Sequence, residues 1–451
     1  MLATLGILMV LTILVLLITN KASPVAGFVL VPLVVALVAG FGLGEIGGFM
    51  GTGLRSVVSI TTMIVFAILF FSILLEAGTF DPIVDRFLGF AGENPVTIAL
   101  VTAALTTVVA FDGDGSSTFL IVITALLPFY RRLRMSPLVL TTIVGLAAGV
   151  QNIVPWGGPT ARAAAAIGVD PNELWVPMIP VQIVGLLASF GVAYYLGLRE
   201  RTRLAGLAES ASEKATDSEQ EDPNTRPLPS REIQEDNEED LTRPRLFWIN
   251  LVLMLVTIAA LITAILPPEF VFMIGLVVVL LVNYPNPRLQ IELIQKHSRA
   301  PILIATILLS SGVFLGIARE SGMFDAVTTV VANALPTALA PLLPLIVGAL
   351  SVPMSILIEV NAYYLGMLPI LTGVTEQAGI APEAMAKASL IGMYTVGFPL
   401  TPLTPAFFLL VGLAEVNIGA HIRHMLPWAW LVGIVMLIAA IALGQIPFVT
   451  F

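Results

Sequence analysis

One seven-residue run constrains this chain more than any other part of it. Asp112-Gly113-Asp114-Gly115-Ser116-Ser117-Thr118 is doubly acidic and loosened by glycine, yet it sits inside an apolar stretch. The segment before it, 96–111, carries no charge over 16 residues, and the segment after it, 119–130, carries none over 12. A helix that crosses a bilayer needs roughly 20 residues. Two short apolar arms with a polar tip read as a re-entrant hairpin that enters and leaves the membrane on one side. Irregular backbone at that depth survives only where protein or a water-filled cavity surrounds it. Carboxylates there are costly and mark an ion or substrate site.

The composition sets the same frame. A mean hydropathy of +0.97, 57% apolar residues and 11% charged residues exclude a soluble globular protein and indicate a polytopic membrane protein. The 451 residues suit about ten helices plus re-entrant pieces. With no cysteine there is no disulfide framework, thiolate metal site or catalytic thiol. Of the 30 acidic residues, 13 lie between Leu198 and Arg245 beside eight basic ones, so this one hydrophilic segment carries -5 of the net charge of -9, the membrane part is close to neutral, and nucleic-acid binding has no support. The first apolar segment, Leu2–Thr19, lacks the basic stretch of a signal peptide and reads as a retained helix.

An internal repeat organises the rest. Glu76-Ala77-Gly78-Thr79-Phe80-Asp81 recurs as Glu320-Ser321-Gly322-Met323-Phe324-Asp325, four identities in six at an offset of 244. At that offset 2–19 falls on 246–265, 25–43 on 270–284 and 56–75 on 300–319. The tip at Asp112 falls near 353–359, and a proline-broken helix near Pro155 and Pro159 falls on one near Pro402 and Pro405. Each half then holds five full crossings, one of them broken, plus a re-entrant hairpin. An odd number of crossings turns the second half upside down. The expected fold is an all-α polytopic membrane protein of two inverted-topology repeats. Repeat one covers 1–198, with its tip at 112–118 and broken helix at 155–162. A disordered acidic linker covers 199–244. Repeat two covers 245–451, with its tip at 351–361 and broken helix at 398–405.

Charge placement orients the chain in the plasma membrane. With both termini extracytoplasmic and the linker cytoplasmic, 17 of the 21 Lys and Arg residues fall on the cytoplasmic side. Inverted repeats with interrupted helices at the midplane are a mark of secondary transporters. No GxxxxGK[ST] loop is present, which argues against transport driven by ATP. No spacing suggests a zinc site or a Ser-His-Asp triad, so the expectation is not an enzyme. His297, His421 and His424 read as solvated histidines of cytoplasmic loops.

The first broken helix, Gln151 to Arg162, reads QNIVPWGGPTAR. Its two prolines remove backbone donors and Gly157 and Gly158 relax the chain. The half-helix that restarts near Thr160 offers free amides to an anion, and Arg162 adds a permanent planar charge suited to carboxylate. Alternatively, Arg162 pairs with Asp112 or Asp114 and ties hairpin to helix. Asp112 and Asp114 read as hard-oxygen ligands for Mg²⁺ or Ca²⁺, as proton carriers, or as caps. Asn152 joins them as a coupling-site candidate; Ser116, Ser117 and Thr118 join the substrate candidates. In the second half Glu359 is the lone carboxylate between Asp325 and Glu376. It is either a third site residue or a helix end facing water. Asn361 and Thr404 are substrate candidates, and Thr401 offers a hydroxyl to a cation.

The runs Leu74–Asp81, Phe111–Pro128 and PWGGPTAR at 155–162, with PLTPLTP at 399–405 and LLVGL at 409–413, resemble the bacterial citrate–divalent metal–proton symporter family. The resemblance covers both halves outside the linker. It implies proton-coupled uptake of citrate complexed to a divalent cation such as Mg²⁺ or Ca²⁺, no permanently bound cofactor, and a homodimer working by an elevator-like motion. One departure stands out: where the family carries an acidic residue in an Asn-Asp-Ala-aromatic run, this chain reads Val360-Asn361-Ala362-Tyr363. Two further readings remain beside it, a transporter of another organic acid without metal and a cation/proton antiporter.

Overall fold

The computed structural model describes residues 1–19, 21–92, 94–113, 115–215, 241–263, 265–334 and 339–448. Asp114 and the linker stretch 216–240 lie outside the described residues. Among those described, all regular structure is helical.

In the first half α1 (Leu2–Ile18), α2 (Pro24–Val38) and α3 (Leu43–Glu76) lead to the amphipathic α4 (Asp81–Ala91). Helices α5 (Pro95–Val109) and α6 (Gly115–Arg132) are the arms of a hairpin. The pieces of a broken helix are α7 (Pro137–Gln151) and α8 (Gly158–Ile167), and after the short α9 (Pro171–Trp175) the half closes with α10 (Ile179–Ala215). The second half repeats this order as α11 (Phe247–Thr263), α12 (Pro268–Asn283), α13 (Pro287–Lys296), α14 (Arg299–Glu320) and α15 (Met323–Ala334). Hairpin arms α16 (Leu343–Leu357) and α17 (Leu368–Gln377), broken pieces α18 (Pro382–Leu390) and α19 (Pro405–Leu413), and the closing α20 (Ile418–Ala442) follow. Helices α2 and α12 open 244 residues apart, at Pro24 and Pro268, and α3 and α14 end 244 apart, at Glu76 and Glu320.

Local chemistry explains many of these starts. Proline at the first turn fixes φ for a helix where no amide is needed, as in α2, α5, α7, α12, α18 and α19. Short polar side chains cap several of the others: Asn417 Oδ1 accepts from Ala420 N at 3.1 Å, and Asp170 Oδ1 from Asn172 N at 2.8 Å.

The halves pack reciprocally. Helix α3 crosses its own counterpart α14; α3 lies on α12 as α14 lies on α2, and α10 meets α20. The α3–α14 crossing is made by glycine. A Cβ on Gly53 would stand 1.9 Å from the Gly312 carbonyl oxygen, and one on Gly316 would stand 2.2 Å from the Phe49 carbonyl oxygen. Small residues at such crossings let helix backbones touch, which matters where lipid supplies no hydrophobic drive. Around this frame, Leu8, Leu11 and Val15 of α1 and Val252, Leu255 and Val256 of α11 are exposed, the surface a bilayer covers.

Among the described residues, seven helices are long and apolar enough to cross a membrane, and four shorter apolar ones accompany them. The first arms of both hairpins, 95–112 and 340–357, are among the seven.

Several boundaries differ from the sequence reading. The glycine-rich stretch 44–53, which separates two expected helices, is helical, because α3 starts at Leu43 and Glu45 Oε2 accepts from Gly42 N at 2.8 Å. The first hairpin's arms are longer than 16 and 12 residues, since α6 runs through Pro128 and Arg131 and Arg132 favour its carboxyl end. The second tip is confined to 358–359, because α16 stays helical to Leu357 and the chain is helical again from Val360. The first break falls at 152–157, with Arg162 inside α8, and the second begins before Pro399, near Ile391. Helix α10 continues to Ala215, past the expected boundary at 198. The far end of the linker is pinned: Arg243 N donates to Ala77 O at 2.9 Å, and the Arg243 guanidinium stacks on Tyr284.

Gly53→Val should be among the most damaging substitutions in the frame, since backbone stands on the far side of the crossing. A cost of at least about 1–3 kcal/mol is expected, read as a lowered thermal midpoint and loss of monodisperse protein in detergent.

Candidate functional site

Two tips and two breaks, far apart in sequence, meet in one cluster. In the first tip, Gly113 takes a left-handed φ of +75 that ends the 110–112 turn. Glycine is also required there by space, because a Cβ would lie 2.8 Å from Trp156 Cδ1. Trp156, in the first break, donates from Nε1 to the Phe111 carbonyl at 3.0 Å. Its ring packs within 6 Å, centroid to centroid, of Phe71, Phe111, Trp175 and Phe272. An indole thus holds tip to break and seats both on α3 and α12.

The first tip also touches the second break. Phe119 stacks on Phe398 at 5.8 Å, and a Cβ on Gly115 would stand 2.3 Å from the Phe398 ring. Asn152 Nδ2 donates to the Tyr394 carbonyl at 2.8 Å, which joins the two breaks. Tyr394 has a φ of +57, a strained conformation for a bulky residue, and is held from both sides, since its amide donates to Ser355 Oγ at 3.0 Å. Ser355 belongs to α16, so the second tip grips the second break.

The last pairing carries the charge. Arg162, only 8% exposed, donates from Nε to Asn361 Oδ1 at 2.7 Å and from Nη1 to the Gly158 carbonyl at 2.8 Å. Asn361 Nδ2 in turn donates to Glu359 Oε1 at 2.7 Å. The guanidinium can only donate and the carboxylate can only accept, which fixes the orientation of the amide between them. Glu359 Oε2 accepts from the amides of Asn361 and Ala362 at 2.8 and 2.9 Å, so the carboxylate caps the helix that leaves the tip. Arg162 therefore binds the second tip. It does not pair with Asp112, and among the described residues its Nη2 has no hydrogen-bond partner.

Two cavities flank the cluster. One of about 470 Å³ is lined by Leu17, Glu359, Pro402, Leu403, Thr404 and Phe408. The other, about 210 Å³, is lined by Asp112 and Ser117 together with Lys296, His297 and Arg299. Glu359, expected as either a third site residue or a helix end facing water, caps the helix that leaves the tip and also lines the 470 Å³ cavity. A larger cavity of about 700 Å³ lies between α15 and α17, away from both tips, and is lined by Arg319, Asp325 and Glu376.

The remaining candidates divide. Thr118 is fully buried and Thr404 partly so; the hydroxyl oxygen of each is buried with no partner among the described residues. Thr401 is buried, and its Oγ1 accepts from Leu403 N at 3.3 Å. Thr160 is committed elsewhere, donating across the first break to the Ile153 carbonyl at 2.8 Å. Gly158 serves through its carbonyl. At Gly157 a Cβ would stand 2.5 Å from the Asn152 carbonyl oxygen, so its role is to let the chain turn. Ser116 and Ser117 open α6 beside the first tip. Among the described residues no three acidic or histidine side chains converge.

The histidine expectation is corrected. His297 Nε2 binds Glu76 Oε2 at 2.9 Å, beside a Lys296–Glu76 ion pair at 3.1 Å. His421 lies inside α20, fully buried, and His424 is half-buried one turn later. Helix α20 begins at Ile418, so neither belongs to a loop.

The citrate transporter family model matches residues 4–392. A citrate transporter of Bacillus subtilis (strain 168) is 38% identical over 99% of this chain and 100% of its own length. An Mg(2+)/citrate complex secondary transporter of the same organism is 39% identical over 99% of both chains. The crystal structure of the Alcanivorax borkumensis YdaH transporter, described as having an unusual topology, superposes with a TM-score of 0.53 at 15% identity, over 88% of this chain and 87% of that one. At that identity it speaks for the fold alone.

Asn361→Leu removes the amide between Arg162 and Glu359 while keeping side-chain bulk. An unsatisfied buried donor costs about 1–3 kcal/mol. The expected result is a lowered thermal midpoint that Glu359→Gln does not deepen further in the double variant.

Proposed function

The chain belongs to the citrate transporter family, and from that premise we propose that it carries citrate into the cell as a complex with a divalent cation, by symport with protons. The observation that carries this reading is Arg162: a buried guanidinium on α8, next to a half-helix start, held by a neutral amide and with one nitrogen unspent. Neutral partners leave its charge for an anion. Citrate complexed to Mg²⁺ keeps about one net negative charge, which one arginine and the positive end of a half-helix can balance.

The cation belongs to the cargo. Asp112 and Glu359 line separate cavities, so they do not converge on one ion in this arrangement. Hard oxygen ligands supplied by citrate itself satisfy a divalent cation, and Asp112 or Glu359 completes the shell by one contact. That the relative sharing 39% identity is described as handling an Mg²⁺/citrate complex supports this.

A substrate carboxylate that reaches Arg162 competes with Asn361 for the guanidinium. Displacing Asn361 loosens its bond to Glu359, so arrival at the first break is felt at the second tip. With the halves inverted and the amino terminus outside, tips and breaks move as one body against the α1–α3 and α11–α14 frame. Their mutual hydrogen bonds, set against the mainly apolar Trp156–Phe71–Phe272 contact with the frame, support that division.

The test is uptake of labelled citrate into proteoliposomes under an imposed pH gradient, with Mg²⁺, with Ca²⁺ or with chelator. Uptake that requires both gradient and metal is expected. Uptake undiminished by chelator removes the metal from the cargo, and uptake of other organic acids in preference to citrate overturns the substrate. Arg162→Ala should lower uptake about tenfold to a hundredfold, the worth of a charge-assisted bond, while the variant still folds and reaches the membrane.

A further inference from the structure

Two buried or half-buried histidines, one turn apart on α20, contact neighbouring threonines of α7. His421 Nδ1 lies 3.0 Å from Thr141 Oγ1, and its Nε2 lies 2.9 Å from the Pro399 carbonyl in the second break. His424 Nδ1 lies 2.7 Å from Thr142 Oγ1. His424 also lines a cavity of about 410 Å³ with Ser136, Arg199, Glu200 and Arg203, whereas His421 is sealed.

We propose that His421 is a proton-binding site that acts on the second break, with His424 as its access from the cavity at the end of α10. The hydrogen bonds carry the argument. A carbonyl can only accept, so Nε2 of His421 bears a hydrogen, and in the neutral ring Nδ1 accepts from the Thr141 hydroxyl. Thr141 Oγ1 also lies 3.2 Å from the Leu138 carbonyl. When a proton adds at Nδ1, the new N–H donates to Thr141 Oγ1 and the hydroxyl hydrogen turns to Leu138. No hydrogen bond is lost in either state, so the second state is prepared for a buried group that would otherwise resist charge.

The added proton also changes the other end of the ring. The Nε2–H···O=C bond to Pro399 becomes charge-assisted, and such bonds are shorter and roughly twice as strong as neutral ones. Protonation therefore tightens the hold of α20 on the second break, and deprotonation loosens it. Pro399 lies three residues before Pro402, where the wall of the Glu359 cavity begins. Low pH on the side that reaches His424 would thus set the shape of that wall.

The surroundings bring few other ionisable groups to His421. Helix α7, α16, α19 and the 398–400 turn bring no ionisable side chain to it, and the second break brings Tyr394 alone. On α20 itself Arg423 and His424 follow. Helix α10 contributes Arg199, Glu200 and Arg203 at the cavity, where Glu200 is already engaged by Arg203 at 2.7 Å and by the Ser136 amide at 2.9 Å.

This inference rests on the proton-coupled reading for its use, but its first test does not. The chain has three histidines, so ring nitrogens of the ¹⁵N-histidine-labelled full chain can be assigned by His297→Gln and His424→Gln and followed with pH. His421 should pass from the Nε2–H tautomer to the doubly protonated ring as pH falls, and Thr141→Val should move that step to lower pH. A neutral His421 throughout the range in which the protein stays folded would overturn the proposal. In proteoliposomes, His421→Gln should lose about tenfold of gradient-driven citrate accumulation, a typical coupling magnitude, while citrate counterflow without a gradient persists. Accumulation equal to that of the native chain would overturn it as well. If the native chain takes up no citrate, the substrate reading fails and the titration alone decides His421.

Discussion

Burying one guanidinium is the constraint from which the rest of the site follows. Arg162 sits on a half-helix in the membrane-spanning body, where an uncompensated charge is expensive. A direct ion pair would neutralise it and leave little for an anionic cargo. Here Asn361 intervenes, donating to Glu359 and accepting from Arg162. The carboxylate stabilises the arginine at one remove while the guanidinium keeps part of its field. Two backbone amides at the tip also donate to the Glu359 carboxylate.

That arrangement depends on duplication. Arg162 comes from the first half's break and Asn361 from the second half's tip, so neither half holds the site alone. Each of the four motifs supplies what another lacks: the Phe111 carbonyl meets the Trp156 indole, the Tyr394 carbonyl meets Asn152, and the Tyr394 amide meets Ser355. Unwound backbone leaves donors and acceptors that lipid cannot satisfy. Bringing two breaks and two tips together lets each complete the other. The glycine crossing of α3 on α14 is what allows the two halves to approach this closely.

Much of this was legible in the sequence because punctuation in an apolar chain is conspicuous. Two acids in Asp112–Thr118, two prolines around Gly157 and Gly158, and the 244-residue offset pointed to the neighbourhoods of two tips and two breaks, though the helix ends there fall several residues from the expected bounds. Partners were not legible. Nothing in the spacing says that Arg162 should find Asn361, 199 positions later, in preference to Asp112. Side chains that act by packing were also missed: Trp156 and Phe398 look like ordinary apolar residues until a glycine opposite shows how close they come. The histidines misled because His421 and His424 sit near the start of α20, flanked by Arg423, in a stretch that reads as a loop. Their helix begins at Ile418 and turns both toward α7.

At the second tip Asn361 stands where the resembled family's Asn-Asp-Ala-aromatic run carries its acid, and the bond to Arg162 gives that difference a physical meaning. An aspartate beside Arg162 would form a closed ion pair, and a cargo of about one net negative charge would then compete against a full charge for the guanidinium. An amide is a weaker competitor, and moving the carboxylate to position 359 keeps the charge count while turning it toward the 470 Å³ cavity. On the reading proposed above, the same residue that stabilises Arg162 through Asn361 would meet a cation carried on the citrate. Two positions, 359 and 361, thus hold what the family pattern places at one, the carboxylate and the contact with Arg162.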